Sequence, residues 1–165
     1  MNILAPLSTI KVFVFDIDGV LTNGQLLLQE DGSMLRSMNI KDGYALQLAV
    51  KNGYEIVVIS GGKSSAAKIR LERLGLKDVF IAVENKPALL HDLVKERNWC
   101  FEELLYMGDD VPDLEVMQLC GFKACPKDAV SEVKNIADYI SPVCGGQGCV
   151  RDVIEKTMKV QGKWA

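Results

Sequence analysis

Lys11-Val-Phe-Val-Phe-Asp16-Ile-Asp18-Gly19-Val20-Leu21-Thr22 is the stretch that decides the fold. Lys11 to Phe15 is near-continuously apolar, aromatic and β-branched, which predicts a strand buried on both faces. The run stops at two carboxylates spaced i, i+2, followed by a glycine. In extended backbone those positions share a side, so Asp16 and Asp18 project together from the strand's carboxyl end. Ligands of open α/β sheets bind in the crevice outside such ends. Acids leaving a buried strand are costly unless paired or metal-bound, so the pair marks a site.

Downstream, Asp31-Gly32 lies in the middle of Asn23 to Asn39 and signals a two-residue hairpin loop. In that register Leu28 opposes Leu35 on one face, while Leu27 opposes Arg36 and Gln29 opposes Met34 on the other. Both faces of the hairpin (about residues 24–39) carry apolar side chains. A lone two-stranded ribbon is marginal in water, so packing against copies of itself in an oligomer is expected.

Lys41 to Asn52 reads as a helix with Tyr44, Leu46, Leu48 and Ala49 on its apolar face and Gly53 past its end. Strands follow at Glu55 to Ile59, Val79 to Val83, Leu104 to Met107, near Phe122 to Cys125 and at Tyr139-Ile140. Helices are expected over Ser64 to Leu74, from Pro87 to about Asn98, and up to Cys120. This alternation predicts one α/β domain over 1–165, a Rossmann-like parallel sheet with helices on both faces. A tail of about residues 144–165 completes it.

Four polar clusters each follow a predicted strand: Asp16/Asp18, Ser60-Gly61-Gly62, Lys86, and Asp109/Asp110/Asp113. Together they converge on one sheet edge. Carboxylates completed by water and phosphate suit Mg²⁺. The Ser60 hydroxyl, the backbone N–H groups beside Gly61 and the point charge of Lys86 suit phosphate oxygens. Carboxylates serve as nucleophiles in phosphoryl transfer, and positioning with charge neutralisation supplies the rate.

Composition narrows the class. A 165-residue chain that is 48% hydrophobic and 25% charged, with net charge −3, is an ordinary globular domain and does not favour nucleic acid as a partner. Met1 to Ile10 lacks a secretory pattern and no apolar run reaches the ~18 residues of a membrane span, so a cytoplasmic, membrane-free protein is expected. Cys120/Cys125 and Cys144/Cys149 share a spacing, but reduced thiols are expected rather than zinc. The lone His91 lies in an amphipathic helix.

Asp-x-Asp-Gly-x-Leu-Thr, then Ser-Gly, an isolated Lys and Gly-Asp-Asp-x-x-Asp, in this order, resemble the haloacid dehalogenase superfamily of phosphohydrolases. The resemblance implies Asp16 as nucleophile of an aspartyl-phosphate and Asp18 as general acid/base. It implies Mg²⁺ held by Asp16, the Asp18 carbonyl and Asp109, with Asp113 as a ligand through water or an orienting outer partner. Asp110 is either part of that outer shell or a helix N-terminal acid. Ser60, Gly61 and Lys86 would bind the phosphoryl group.

The gaps between motifs hold no cap domain, only the hairpin, which is similar to the capless subgroup. Lys41-Asp42-Gly43-Tyr44 and Gly145-Gly146-Gln147-Gly148-Cys149-Val150-Arg151-Asp152 resemble segments of that subgroup. The resemblance implies a phosphomonoesterase acting on 3-deoxy-D-manno-octulosonate 8-phosphate, with a nine-carbon ulosonate 9-phosphate as the alternative. It also implies a homotetramer built through the hairpins, with Gln161 to Ala165 helping to close a neighbouring subunit's site. The chain departs from the pattern at Gln147 and at Gly62-Lys63, where the subgroup often has Arg. Lys63 and Lys41 are the candidate substrate contacts, although Lys does not replace a bidentate Arg. Other classes are a receiver-like phospho-switch, which would place its acceptor Asp after the third strand, and a regulatory subunit with a relict site.

Overall fold

The structure, a computed structural model, describes residues 4–164. After a short helix α1 (Leu4–Leu7) come β1 (Val12–Phe15), a tight helical turn (Ile17–Leu21), β2 (Leu27–Leu28), β3 (Met34–Leu35) and α2 (Ile40–Lys51). They are followed by β4 (Glu55–Ile59), α3 (Ser65–Arg73), β5 (Asp78–Phe80), α4 (Lys86–Arg97), β6 (Leu104–Met107) and α5 (Leu114–Leu119). The last elements are β7 (Phe122–Cys125), α6 (Ser131–Ile136), β8 (Tyr139–Ile140) and α7 (Cys149–Val160).

Six strands form one parallel sheet in the order β5-β4-β1-β6-β7-β8. β1 lies between β4 and β6, with Phe15 opposite Val58 on one side and Met107 on the other. The chain leaves β1 towards β4 and β5, then crosses back to β6. The order therefore reverses beside β1, where open α/β sheets hold their ligands.

Side chains alternate along the buried strands as their period of two requires. Phe13 and Phe15 join Ile56, Val58, Leu105 and Met107 in one cluster, closed by α2, α3 and α7 through Leu46, Ala49, Leu71, Val153 and Ile154. Val12 and Val14 join Val57, Ile59, Leu104 and Tyr106 in the other, under α4, α5 and α6 through Leu90, Leu93, Val116, Met117 and Val133. Both faces of β1 are thus dry, which is why its sequence shows no polar alternation. Asn39, Ser64 and Asn85 cap α2, α3 and α4 by accepting from Lys41 N, Ala67 N and Ala88 N.

The α/β class and helices on both faces are as expected, and several details differ. Leu27 pairs with Leu35 and Leu28 with Met34, one residue away from the expected register. Gln29 N donates to Ser33 O, Gly32 N donates to Gln29 O, and Gly32 has φ +84°. The loop is therefore three residues, Glu30 to Gly32, with glycine in the left-handed position, the other common hairpin closure. Leu27, Leu28, Met34 and Leu35 are all exposed.

Tyr44, expected on the apolar face of α2, is exposed, whereas Asp42, Gly43 and Ala45 are buried. The expected tail contains α7, a twelve-residue helix with Val150, Val153, Ile154, Thr157 and Met158 buried. Past it, Gln161 Nε2 donates to Leu7 O at 2.9 Å and Ile10 O at 2.8 Å, and Tyr54 Oη donates to Gln161 Oε1 at 2.7 Å. Gln161 is thus fastened to its own chain. Ala165 lies outside the described residues.

Candidate active site

β1 delivers Asp16 to the carboxyl edge of the sheet, where Asp16 N donates to Met107 O and Asp16 Oδ1 accepts from Ile17 N at 2.6 Å. The following turn is set by Gly19, at φ +85°. A Cβ at Gly19 would overlap the Asp109 carboxylate, and one at Gly145 would overlap Gly19 O. The loop before α7 therefore packs directly on this turn. Gly146 N donates to Val20 O at 2.9 Å, Cys149 Sγ donates to Val20 O at 3.3 Å, and Gly145 N donates to Asp128 Oδ1 at 2.8 Å. Arg151 N donates to Asp42 Oδ1 at 2.7 Å and joins the starts of α7 and α2.

Lys86, the first residue of α4, projects a buried ammonium between two acids. Its Nζ lies 3.0 Å from Asp16 Oδ2 and 2.8 Å from Asp113 Oδ1. Asp113 is fully buried, and its Oδ1 also accepts from Tyr106 Oη at 2.8 Å, while Oδ2 accepts from Asp109 N at 3.1 Å. With both oxygens engaged, Asp113 orients Lys86 and the Gly108–Asp110 loop. A side chain at Gly108 would run into it. Asp110 is exposed and caps the following turn through Val111 N at 2.7 Å.

Charge is unevenly shared in this cluster. Burial, then repulsion from Asp113, pushes Asp16 up to about 6 despite the opposing pull of Lys86. Burial, then Asp113, Asp16 and Asp110, pushes Asp109 up to about 7. Burial alone would lower Lys86, but the charges of Asp16 and Asp113 outweigh it and raise the ammonium's pKa. Among the described residues, only Asp16, Asp109 and Asp113 form a group of three or more His, Cys, Asp or Glu whose ligand atoms lie within 4.8 Å of one another. The Asp109 carboxylate accepts no hydrogen bond among the described residues. Hard carboxylate oxygens crowded around a single lysine fit a small divalent cation such as Mg²⁺, with Asp16 and Asp109 as ligands and Asp113 already committed.

From β4, Ser60 is almost wholly buried, and its Oγ accepts from Gly62 N at 3.2 Å. The loop is pinned by Ala82 N donating to Gly62 O at 2.8 Å, with Ala82 held at φ +56°. Asp16, Asp18, Ser60, Gly61, Lys86 and Asp109 line one cleft of about 280 Å³. Asp110 and Asp113 reach the same cleft. Lys41 and Lys63 are exposed and line none of it. The five cysteines are free, and Cys120, Cys125 and Cys149 are buried.

Two residues escaped the sequence reading. Arg36, just past β3, forms a two-pronged ion pair with Asp18, with Nε to Oδ1 at 2.6 Å and Nη2 to Oδ2 at 3.0 Å. Nothing local in a short ribbon marks that side chain for the site. Tyr106 did leave a signal, since a tyrosine inside a buried strand needs a partner for its hydroxyl.

The family model of haloacid dehalogenase-like hydrolases matches residues 84–149. The chain is 30% identical over 162 residues to the 3-deoxy-D-manno-octulosonate 8-phosphate phosphatase of Escherichia coli (strain K12), covering 98% of this chain and 86% of that relative. It is 32% identical over 157 residues to the Haemophilus influenzae protein of the same name, covering 95% and 87%. The crystal structure of the Moraxella catarrhalis 3-deoxy-D-manno-octulosonate 8-phosphate phosphatase, in complex with magnesium ion, phosphate ion and KDO, superposes with a TM-score of 0.93. It is 29% identical and covers 97% of this chain and 92% of that one.

Proposed function

Since the chain belongs to the haloacid dehalogenase-like hydrolases of the 3-deoxy-D-manno-octulosonate 8-phosphate phosphatase family, we propose that it hydrolyses that ester in a Mg²⁺-dependent reaction. The products are 3-deoxy-D-manno-octulosonate and phosphate. The observation that carries the reading is the convergence of Asp16, Asp18, Ser60, Lys86 and Asp109 on one cleft at the end of β1. Asp16 attacks phosphorus to form an aspartyl-phosphate, the bond from phosphorus to the sugar oxygen breaks, and Asp18 gives that oxygen its proton. Asp18 then takes a proton from the water that attacks the aspartyl-phosphate, and phosphate leaves.

Asp16, Asp109 and the Asp18 carbonyl would hold Mg²⁺, which supplies neutralisation of the acids and the phosphoryl oxygens. Lys86 holds Asp16 in place and offers positive charge to the phosphoryl group. Ser60 and the amide edge of Gly61-Gly62 offer it hydrogen bonds. Asp113 keeps Lys86 in position and Asp110 shapes the loop. Lys63, next to the Ser60–Gly62 loop, and Lys41, at the start of α2, are both exposed and are assigned to the substrate's carboxylate end.

The exposed leucines of β2 and β3 favour assembly through the hairpins, in place of a cap, and a homotetramer is the state assigned. Free thiols, one of them the exposed Cys100, favour a reducing compartment, the cytoplasm. The test is phosphate release with Mg²⁺ and with EDTA, from the eight-carbon acid phosphate, the nine-carbon ulosonate 9-phosphate and hexose phosphates. Release confined to the eight-carbon acid and lost in EDTA is expected. Preference for the nine-carbon acid would change the substrate, and no release from any would overturn the reading.

A further inference from the structure

We propose that Arg36 is a positioning residue for the reaction: its guanidinium fixes the plane of the Asp18 carboxyl group and ties that plane to the hairpin. The inference rests on the phosphatase reading of Asp18. Asp16 is held by Ile17 N and Lys86, whereas Asp18, with about a third of its side chain exposed, has little else to hold it. Its contact with Thr22 Oγ1 is long, at 3.5 Å. The Arg36 fork supplies two short bonds from a side chain that is only 12% exposed, although the ribbon it follows is exposed. A planar fork fixes orientation as well as distance, which an ammonium does not.

The third side of the pair is closed by backbone. A Cβ at Gly62 would stand 2.9 Å from Asp18 Oδ2 and 3.5 Å from Arg36 Nη2. The Ser60–Gly62 loop therefore lies against both groups, and the acid, the arginine and the phosphate-facing loop share one small space. Arg36 also lines a second cavity, of about 320 Å³, between the hairpin and α3. It thus stands at the wall between cleft and hairpin, so a shift of the ribbon moves the Asp18 carboxyl with it.

The chemistry gives the fork a further use. Asp18 acts on the leaving sugar oxygen only as the bond to phosphorus breaks, so the orientation that the fork gives its carboxyl group is felt at that step more than in substrate binding. Interactions that grow in the transition state raise kcat, whereas those present throughout act on KM. A misplacement of about 1 Å at a reacting group costs about 100-fold.

The experiment measures kcat and KM of Arg36→Ala and Arg36→Lys on 3-deoxy-D-manno-octulosonate 8-phosphate with saturating Mg²⁺, with and without added methylguanidinium, beside wild type and Asp18→Asn. Expected for Arg36→Ala is a fall in kcat of about 100-fold with KM within about twofold, restored at least about tenfold by methylguanidinium. Arg36→Lys, which keeps the charge and loses the fork, should fall nearly as far, with its melting temperature preserved. Methylguanidinium should do nothing for Asp18→Asn. A kcat within about twofold of wild type, a loss carried wholly by KM, or a loss that methylguanidinium leaves unchanged would each overturn the inference while leaving the phosphatase intact. Wild type inert towards the ester, or Asp18→Asn fully active, would remove the reading on which it rests.

Discussion

Without metal, the protein is expected to lose stability as pH rises from 5 to 8, and Mg²⁺ is expected to remove most of that loss. In the unfolded chain aspartates titrate near pH ~4. In the fold Asp16 is pushed up to about 6 and Asp109 up to about 7. Above pH ~4 the unfolded chain has released both protons while the folded chain still holds them. Unfolding therefore releases protons, and raising the pH favours it until the folded groups have also titrated, near 7. At about 1.4 kcal/mol per pH unit for each group, the two acids account for about 4 kcal/mol between pH 5 and 8. Because each acid repels the other, relief of one eases the second, and solvent screens part of Asp109. About 2–3 kcal/mol is the working figure, or about 4–12 °C in melting temperature for a chain of this size.

The assay is thermal unfolding followed by circular dichroism at pH 5, 6, 7 and 8, in EDTA and in saturating Mg²⁺. Asp42, buried and with an Oδ2 that finds no hydrogen-bond partner among the described residues, is also pushed up to about 6 by burial and adds to the same decline. Mg²⁺ does not touch it, so the gap between the two series isolates the cluster. Asp109→Asn should flatten the EDTA series. Parallel series with and without Mg²⁺, or an undiminished slope in Asp109→Asn, would refute the assignment of charge in this site.

Other outcomes follow from the same geometry. Asp16→Asn and Asp18→Asn should each lower phosphate release by about 1,000-fold or more while circular dichroism shows the fold retained, since each removes one chemical role. Gly19→Ala, which sets a methyl against the Asp109 carboxylate at a φ that costs L-residues about 1–2 kcal/mol, should weaken Mg²⁺ binding measured by titration calorimetry. Lys86→Met should destabilise the protein by about 3–5 kcal/mol at pH 8 and by less at pH 5, where the acids take up protons, as denaturant melts would show. Leu28→Glu or Leu35→Glu, on the exposed ribbon, should reduce the mass measured by light scattering and weaken turnover; an unchanged mass would sink assembly through the hairpin.

The buried strands and the acids that end them were legible because their signal is local. β4 and β6 lie where expected because Ile56 to Ile59 and Leu104 to Met107 are dry on both faces, and β7 does so although Lys123 within it is half-buried and paired with Asp138. The Ser60, Lys86 and Asp109 loops were legible as a set because parallel strands place all their carboxyl ends on one edge. The hairpin register was missed by one residue, because Asp-Gly serves both two-residue and three-residue loops, and only the bond from Gln29 N to Ser33 O, with Asp31 outside the left-handed region, separates them. Tyr44 was misassigned because a weakly patterned helix leaves its facing to α7. α7 itself carries the spacing Val150, Val153, Ile154, Thr157, Met158, a helical stripe that went unread. Arg36 was out of reach: its partner lies eighteen residues away, across a turn and a ribbon.

The bracing of the Gly19–Thr22 turn by Gly145 and Gly146 has a consequence in time. During synthesis Asp16 and its strand leave the ribosome well before Gly145 and Gly146, the backbone that closes over Val20. A nascent chain that has reached only Asp109 therefore holds Asp16, Asp18, Lys86 and Asp109 of the cleft without the brace that orders the turn. Completion of the site coincides with the docking of α7, so a chain released before that helix is made carries the acids without the pocket.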